Sequence, residues 1–336
     1  MPFHDGKHTR APVRPKALLI LVMQPEKQHV ADMIAIAREV VKAAPEIIVD
    51  IAAPGSSAND VEPWKWTLPT LTVSLGRLGK FMPRRGPILQ NRPVKKLEQC
   101  RRFKSVGIST PHTEPFEFGR QYFEADFGKF AVLKTLPLAL TSSGREMILL
   151  PTRRLHQISI AEFPEDHFLR RAPALVQRFI DTGPKPEYFR VLTLLGEQIL
   201  WMRVRSATEQ VDLCEPEVDH LRKAIVDPRS TYESAGENFL DLLEFEVPSD
   251  VIEFARAAYK AFPDIPLQAC DIVREAATGH LFILEINAGG NTWDFSSRRV
   301  AASREKLGGR ERLISIYDPW PRAATALIRK VRELAS

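Results

Sequence analysis

Cysteine is scarce in this sequence. The three present, Cys100, Cys214 and Cys270, are odd in number and far apart. That argues against a disulfide framework and a zinc site, and it predicts a reducing, cytoplasmic setting. Long apolar runs are missing as well. ALLILVM falls well short of the roughly 20 residues of a membrane span, and Met1 to Pro15 is too polar for a signal peptide. Aromatic residues make up only 8%, and the net charge is only +5, scattered in doublets such as Arg84-Arg85, Lys95-Lys96 and Arg101-Arg102. Without one basic block interleaved with aromatics, the sequence argues against nucleic acid as a partner. The doublets suit solvated surface or an enzyme for phosphorylated or carboxylated substrates. Internal repeats and low-complexity tracts are absent.

What remains is an ordinary globular composition, 44% hydrophobic and 26% charged over 336 residues, enough for two or three sub-domains. Residues 1–15 read as a flexible tail. KALLILVM (16–23) is a short buried strand, residues 28–44 carry a helical apolar stripe, and EIIVDIAAP (46–54) is a second strand. With strands at 70–76 and 87–91, residues 16–92 form a small α/β unit. It has no G-x-G-x-x-G turn, so dinucleotide binding finds no support there. Beyond it come a helix with a basic face (94–106), strands at 129–136 and 145–151, and a helix near 169–175. A hairpin over 188–206 turns at Gly196-Glu197, a helix over 249–262 is N-capped by Ser249, and a closing helix covers 318–334. Residues 207–249 are polar and admit no assignment.

The chemistry concentrates in CDIVREA and HLFILEIN. If Ala277-Thr278-Gly279 is the loop between these strands, Asp271 stands opposite Glu285. Alternation then puts Asp271, Glu285 and Asn287 on one face, with Leu284 and Ile286 on the other. Opposed carboxylates repel unless something positive lies between them. A Mg²⁺ ion, completed by substrate phosphates, meets that need; two acids at a wet sheet edge are the alternative. Lys134 sits inside FAVLKTL, a run fit for a buried strand, and a buried ammonium needs a partner. A phosphate, an acid from elsewhere or an escape to solvent would each serve. Lys96 lies on a helix, where most lysines are solvated. His156, His167 and His220 show no metal-ligand spacing.

In order along the chain, Lys96 with GISTPHT, FAVLKTL, VQRFID, RVLTLLGEQILWMRVRS and DIVR…LEINAGGN resemble the ATP-grasp superfamily over roughly residues 88–300. The resemblance implies an α/β ATP-grasp fold (α+β in the ATP-binding lobes): a pre-ATP-grasp domain at 16–92, a small lobe at 93–175 and a C-terminal lobe with the Mg/ATP site at 176–336. It implies ATP and Mg²⁺ (Mn²⁺ as a substitute), and a ligase that joins a carboxylate to an amine or thiol through an acylphosphate. By position, Lys96 and Lys134 would contact ATP phosphates. Gln177, Arg178, Phe179 and Ile180 would form the hinge along adenine, through main-chain groups of Arg178 and Ile180. Glu187 or Asp181 would hold the ribose. Asp271, Glu285 and Asn287 would ligate Mg²⁺, and Arg203 or Arg205 would steady the transferring phosphoryl group. The two arginines are two apart on a strand, hence on one face, and guanidinium groups clamp phosphoryl oxygens well.

Three departures place the chain in an atypical branch. TLPLALTSSGRE has one glycine where the family often has a glycine-rich flap, Arg178 stands where an acid is common, and Ala288 replaces a frequent proline. The same motifs admit a kinase, or a non-catalytic nucleotide- or peptide-binding module. Expected partners are small-molecule or peptide carboxylate and amine substrates, with no membrane and with a homodimer compatible. Arg84-Arg85 and Arg298-Arg299 suit an acidic acceptor or peptide; Trp64, Trp66 and Trp293 either line an apolar pocket or pack in the core.

Overall fold

The computed structural model describes residues 14–135, 147–165, 167–207, 242–289 and 292–334. Residues 1–13 of the expected tail at 1–15, the segment 136–146, Cys214, His220, Gly290 and most of the polar stretch 207–249 lie outside the described residues. The chain divides into two compact units. One comprises Met1–Arg92, Asp264–Leu267 and Gly289–Ser336; the other comprises Pro93–Pro263 and Gln268–Ala288. The C-terminal segment thus falls in the same unit as Met1–Arg92.

In the first unit β1 (Ala17–Val22), β2 (Ile47–Ala52), β3 (Thr70–Ser74) and β4 (Ile88–Gln90) form a parallel sheet in the order β2-β1-β3-β4. All six residues of β1 are buried, as expected for a parallel strand covered on both faces. Helix α1 (Val30–Ala43) buries Asp32, Met33, Ile36 and Val40. The His29 ring caps it by accepting from the Ala31 N–H at 3.2 Å. Asp32 is fully buried and satisfied: its carboxylate accepts from the Trp293 indole (2.8 Å) and the Ser296 hydroxyl (2.6 Å) and is ion-paired to Arg310. Trp66 and Trp293 are thus core residues, while Trp64 is half exposed.

The second unit holds two antiparallel sheets. The smaller has the order β5-β8-β6-β7, from β5 (Thr113–Pro115), β6 (Phe130–Thr135), β7 (Met147–Pro151) and β8 (Ala174–Arg178). The expected helix near 169–175 stops at Arg171, and Ala174 already belongs to β8. Pro173 lies between them, cannot extend a helix, and biases the residue before it to extended backbone. The larger sheet has the order β11-β10-β9-β12-β13, from β9 (Glu187–Leu194), β10 (Glu197–Arg205), β11 (Leu242–Glu244), β12 (Leu267–Arg274) and β13 (Leu281–Asn287). The turn from β9 to β10 is Leu195-Gly196, both at positive φ (52° and 80°). That twist matches a tight hairpin and moves the turn one residue earlier than expected. Helix Ser249–Ala258 begins at Ser249 itself, with Pro248 in the cap position.

Candidate active site

The candidate residues Lys96, Lys134, Gln177, Asp271, Glu285 and Asn287 belong to the second unit. β12 and β13 pair antiparallel with Asp271 opposite Glu285, but the register slips by one residue between Asp271 and Ile272. Ile272 faces Ile283, so Leu284 is the extra residue of a bulge. The bulge corrects the sequence-based alternation. Leu284 packs against Ile180, Val273 and Phe282, with Tyr188 beside it, instead of sharing a side with the buried Ile286. An apolar shelf and the carboxylates therefore run along the same face.

Asp271, only 7% exposed, accepts from Asn287 Nδ2 at 2.9 Å. It is also gripped by Arg190 from β9, with Nε to Oδ1 at 2.8 Å and Nη2 to Oδ2 at 3.1 Å. Such a two-pronged contact is the strongest arrangement open to a guanidinium and a carboxylate. Glu285 is ion-paired to Lys96 at 2.5 Å. Lys96 is the first residue of α2 (Lys96–Ser105), and Gln99, one turn further on, fixes that helix to the edge of β13. Its amide donates to the Ile286 carbonyl at 3.2 Å and accepts from the Ile286 N–H at 2.8 Å. Lys134, on β6 and 8% exposed, donates to the Gln177 side chain, which in turn donates to the Thr113 hydroxyl at 2.7 Å.

Electrostatics follow from this crowding. Burial, reinforced by the neighbouring Lys96 ammonium, pushes the Lys134 pKa down from 10.5 to about 7. Burial acts to raise the Asp271 carboxyl and wins over the opposing Arg190, leaving it above the usual carboxylate value. Burial acts the same way on Glu285, but there Lys96, with Lys134 and Arg190 behind it, wins and holds the group low. Lys96 answers reciprocally: burial disfavours its charge, yet Glu285 holds its pKa above the ordinary lysine value. Three basic side chains thus surround two carboxylates.

The structure brings together Lys96, Lys134, Gln177, Asp271, Glu285 and Asn287. Gln177 takes part through its side chain, not only as hinge backbone. The rest of the hinge follows from β8. The Arg178 N–H is taken by the His112 carbonyl (2.8 Å) and the Phe179 N–H by the Phe130 carbonyl (3.1 Å). Arg178 Nη2 is bonded to Glu275 at 2.7 Å, while Ile180 joins the apolar shelf. Asp181 accepts from the Gly183 N–H at 2.9 Å through its side chain, and its carbonyl accepts from the Ala276 N–H.

Arg203, Arg205 and Glu187 are not brought there. Arg203 pairs with Phe189 and Arg205 with Glu187 across the β9–β10 ladder, and directly opposed residues share a face. Strand alternation puts that face opposite the one that carries Tyr188 and Arg190. Glu187 is occupied by Arg203 (2.6 Å) and Arg205 (3.2 Å), and Glu244 lies within 3.6 Å of Arg203 and 3.7 Å of Arg205. The arginine facing the carboxylates is Arg190, two and three residues past the two obvious landmarks Tyr188 and Glu187. Its sequence signal was the one used for Lys134, a cation inside an otherwise apolar strand. Gln99 gave no signal of its own.

The donor set suits a hard divalent cation: two carboxylates and one amide oxygen, with no sulfur or imidazole. Among the described residues no three His, Cys, Asp or Glu side chains converge, so Asn287 and ligand oxygens would have to complete the shell. Among those residues, too, no helix is long and apolar enough to cross a membrane.

No protein-family model matches the chain, and no curated protein matches it. Among solved structures, the chain is similar to D-alanine–D-alanine ligase from Bacillus anthracis, at 14% identity and TM-score 0.43, over 94% of this chain and 98% of that one. It is similar also to the ATP-grasp ligase PsnB complexed with a phosphomimetic variant of a minimal precursor, Mg and ADP, at 12% identity and TM-score 0.48, over 94% and 99%. A Chryseobacterium gregarium RiPP-associated ATP-grasp ligase in complex with ADP and a leader and core peptide matches at 10% identity and TM-score 0.48, over 94% and 97%. These are distant likenesses of backbone shape.

Proposed function

We propose that this chain is an ATP-grasp enzyme that uses ATP and a divalent cation to join a carboxylate to an amine. The observation that carries the reading is the convergence of Lys96, Lys134 and Arg190 on the Asp271–Glu285–Asn287 face. Arg190 and Lys96 answer the two carboxylates, while the buried Lys134 donates to the Gln177 amide; a basic group so placed is costly to keep charged without an anion, and a triphosphate with its metal is a ligand that uses both signs. Asp271, Glu285 and the Asn287 amide oxygen would hold Mg²⁺, which when bound neutralises charge on the phosphates and polarises them. Lys96 and Lys134 bind phosphate oxygens. Ile180, Val273, Phe282, Leu284 and Tyr188 form a surface for the purine, beside main-chain groups of Arg178 and Ile180.

In this reading the substrate carboxylate oxygen attacks the γ-phosphorus, the bond to the β–γ bridging oxygen breaks, and ADP leaves. The amine then attacks the acyl carbon of the acylphosphate and loses a proton, and inorganic phosphate departs with the C–O bond electrons. The protein's part is alignment and charge stabilisation, because phosphoryl transfer needs little covalent help. Testing it requires ADP release from the purified chain with panels of acids and amines, with mass spectrometry of the products. An amide-linked product that depends on both substrates supports the reading. A phosphate ester as the final product makes the enzyme a kinase, and ATP binding without ADP release under any pair defeats catalysis.

A further inference from the structure

Between Glu62 and Glu98 the sequence holds no acidic residue, and Arg77, Lys80, Arg84 and Arg85 fall inside that stretch. These four lie in the first unit, on the connection from β3 to β4. Leu78 and Phe81, three apart, turn inward and are buried with Leu18, Ile20, Val22 and Trp66. The basic residues around them are left exposed, and so is Met82 (71%). The connection is tied down along its length. The Arg77 carbonyl accepts from Gln24 Nε2 at 3.1 Å beyond the end of β1, and the Lys80 N–H donates to the Pro54 carbonyl at 2.9 Å beyond the end of β2. Arg84 Nη2 donates to Asn59 Oδ1 at 2.6 Å, and Arg85 Nη1 donates to the Trp66 and Thr67 carbonyls, each at 3.3 Å. At Gly86 (φ 83°) the backbone passes so close to Thr70 that a Cβ would stand 1.8 Å from its carbonyl oxygen, so glycine is required there. The row of charges therefore runs from the C-terminal end of β3 back to its first residue, about 16 Å for a strand of five residues.

The two arginines that do bond, Arg84 and Arg85, bond to neutral oxygens, and none of the four side chains meets a carboxylate among the described residues. The acids of the adjoining turns are engaged elsewhere: Asp60 accepts from the Ser57 N–H at 2.8 Å, and Glu62 and Asp50 are both paired with Lys65, at 3.1 and 2.8 Å. Like charges held in a row repel one another and attract a complementary partner. We propose that residues 77–85 form a docking track for an acidic segment of polypeptide lying extended along the connection. Such a segment covers about 16 Å with about five residues, so a short run of consecutive acids meets all four cations. The arginine forks match carboxylates, and Met82, between Lys80 and Arg84, offers an apolar contact. Single-stranded nucleic acid is the poorer fit, because it stacks its bases on aromatic side chains set among the cations, and Phe81, the aromatic residue within the row, is buried. The track lies outside the site described above, and the proposal does not depend on the ATP reading.

The test uses the full chain without nucleotide and fluorescein-labelled hexaglutamate as the probe, read by fluorescence anisotropy, with hexaglutamine as the uncharged control. Wild type should bind hexaglutamate and not hexaglutamine, and raising NaCl from about 50 to about 300 mM should weaken binding about tenfold. Arg77→Gln, Lys80→Gln and Arg84→Gln should each weaken it roughly threefold, and the triple variant roughly 30-fold, the range of exposed ion pairs acting independently. Arg38→Gln/Lys42→Gln/Arg332→Gln removes the same charge from α1 and the C-terminal helix Pro319–Leu334, and it should change the affinity by no more than about twofold. Thermal melts identify any variant that fails to fold. Should the triple variant fail, Lys80→Glu carries the comparison, because the exposed Lys80 side chain makes no bond among the described residues; it should weaken binding roughly tenfold. Equal losses in the two triple variants would reduce the effect to net charge and overturn the track, as would no binding to wild type. Labelled oligouridylate binding more tightly than hexaglutamate, through the same residues, would overturn the choice of partner.

Discussion

Arg190 and Asp271 lie on neighbouring strands 81 positions apart in sequence, and both nitrogens of the guanidinium edge reach both oxygens of the carboxylate. Breaking this pair from either end leaves a charge in a mostly dry place. Arg190→Met should therefore lower the unfolding free energy by about 2–3 kcal/mol at neutral pH, less than for a fully buried pair because the arginine keeps some solvent contact. The double variant Arg190→Met/Asp271→Leu should recover much of that loss. Urea denaturation of wild type, Arg190→Met, Asp271→Leu and the double variant checks it; a double-variant loss equal to the sum of the two single losses would show that the pair does not act as a unit.

Glu285 stands between Lys96 and the metal role proposed for it. Glu285→Ala should cut ADP release by on the order of 100-fold or more, the usual scale for losing one preorganised electrostatic contact. Asn287→Ala should cost less, because an amide oxygen contributes no charge. Steady-state ADP release under saturating ATP measures both, and wild-type turnover in Glu285→Ala would remove the metal assignment.

Lys134 gives a pH signature. Its pKa is near 10.5 in the unfolded chain and about 7 when folded, so between those values the unfolded chain binds the extra proton. Stability therefore rises with pH across that window, and the full penalty of the buried ammonium is felt below it. Lys134→Met should be more stable than wild type at pH 6.5 in EDTA, with the gap closing as pH rises toward 10. Melting temperatures of the two proteins at each pH measure the gap; a pH-independent difference would mean that the ammonium is not desolvated as its surroundings imply.

Glu187 tests the relocation of a residue expected at the ribose. It is committed to Arg203 and Arg205. Glu187→Gln should therefore leave the affinity for an ATP analogue within about twofold, whereas loss of a charged ribose contact would cost about tenfold. Calorimetric titration separates these outcomes. Asp181→Asn, measured alongside, tests the other ribose candidate.

Much of the local architecture was legible from residue order. β1 reads as one apolar run because both its faces are covered. The Asp271–Glu285 pairing followed from the loop at Ala277–Gly279, and the pairing holds even though a bulge at Leu284 intervenes. Lys134 announced itself as a cation in an apolar strand. The helix near 169–175 went astray because Pro173 ends one element and Ala174 starts another within three residues. Arg203 and Arg205 share a face as their spacing implies, and that face carries Glu187, with which both are ion-paired.

Sequence alone determined what depends on neighbours in the chain: which segments are strands and helices, their turns to within a residue, and the spacing that sets Asp271 across from Glu285. Tertiary structure decided what depends on neighbours in space. A strand's alternation says which side chains share a face, but the order of strands in the sheet says what that face meets. β9 therefore brought Arg190 to Asp271 and turned Glu187 away. The same reason accounts for Lys96, which a solvated helix would have left in water and which Gln99, by binding the edge of β13, delivers to Glu285.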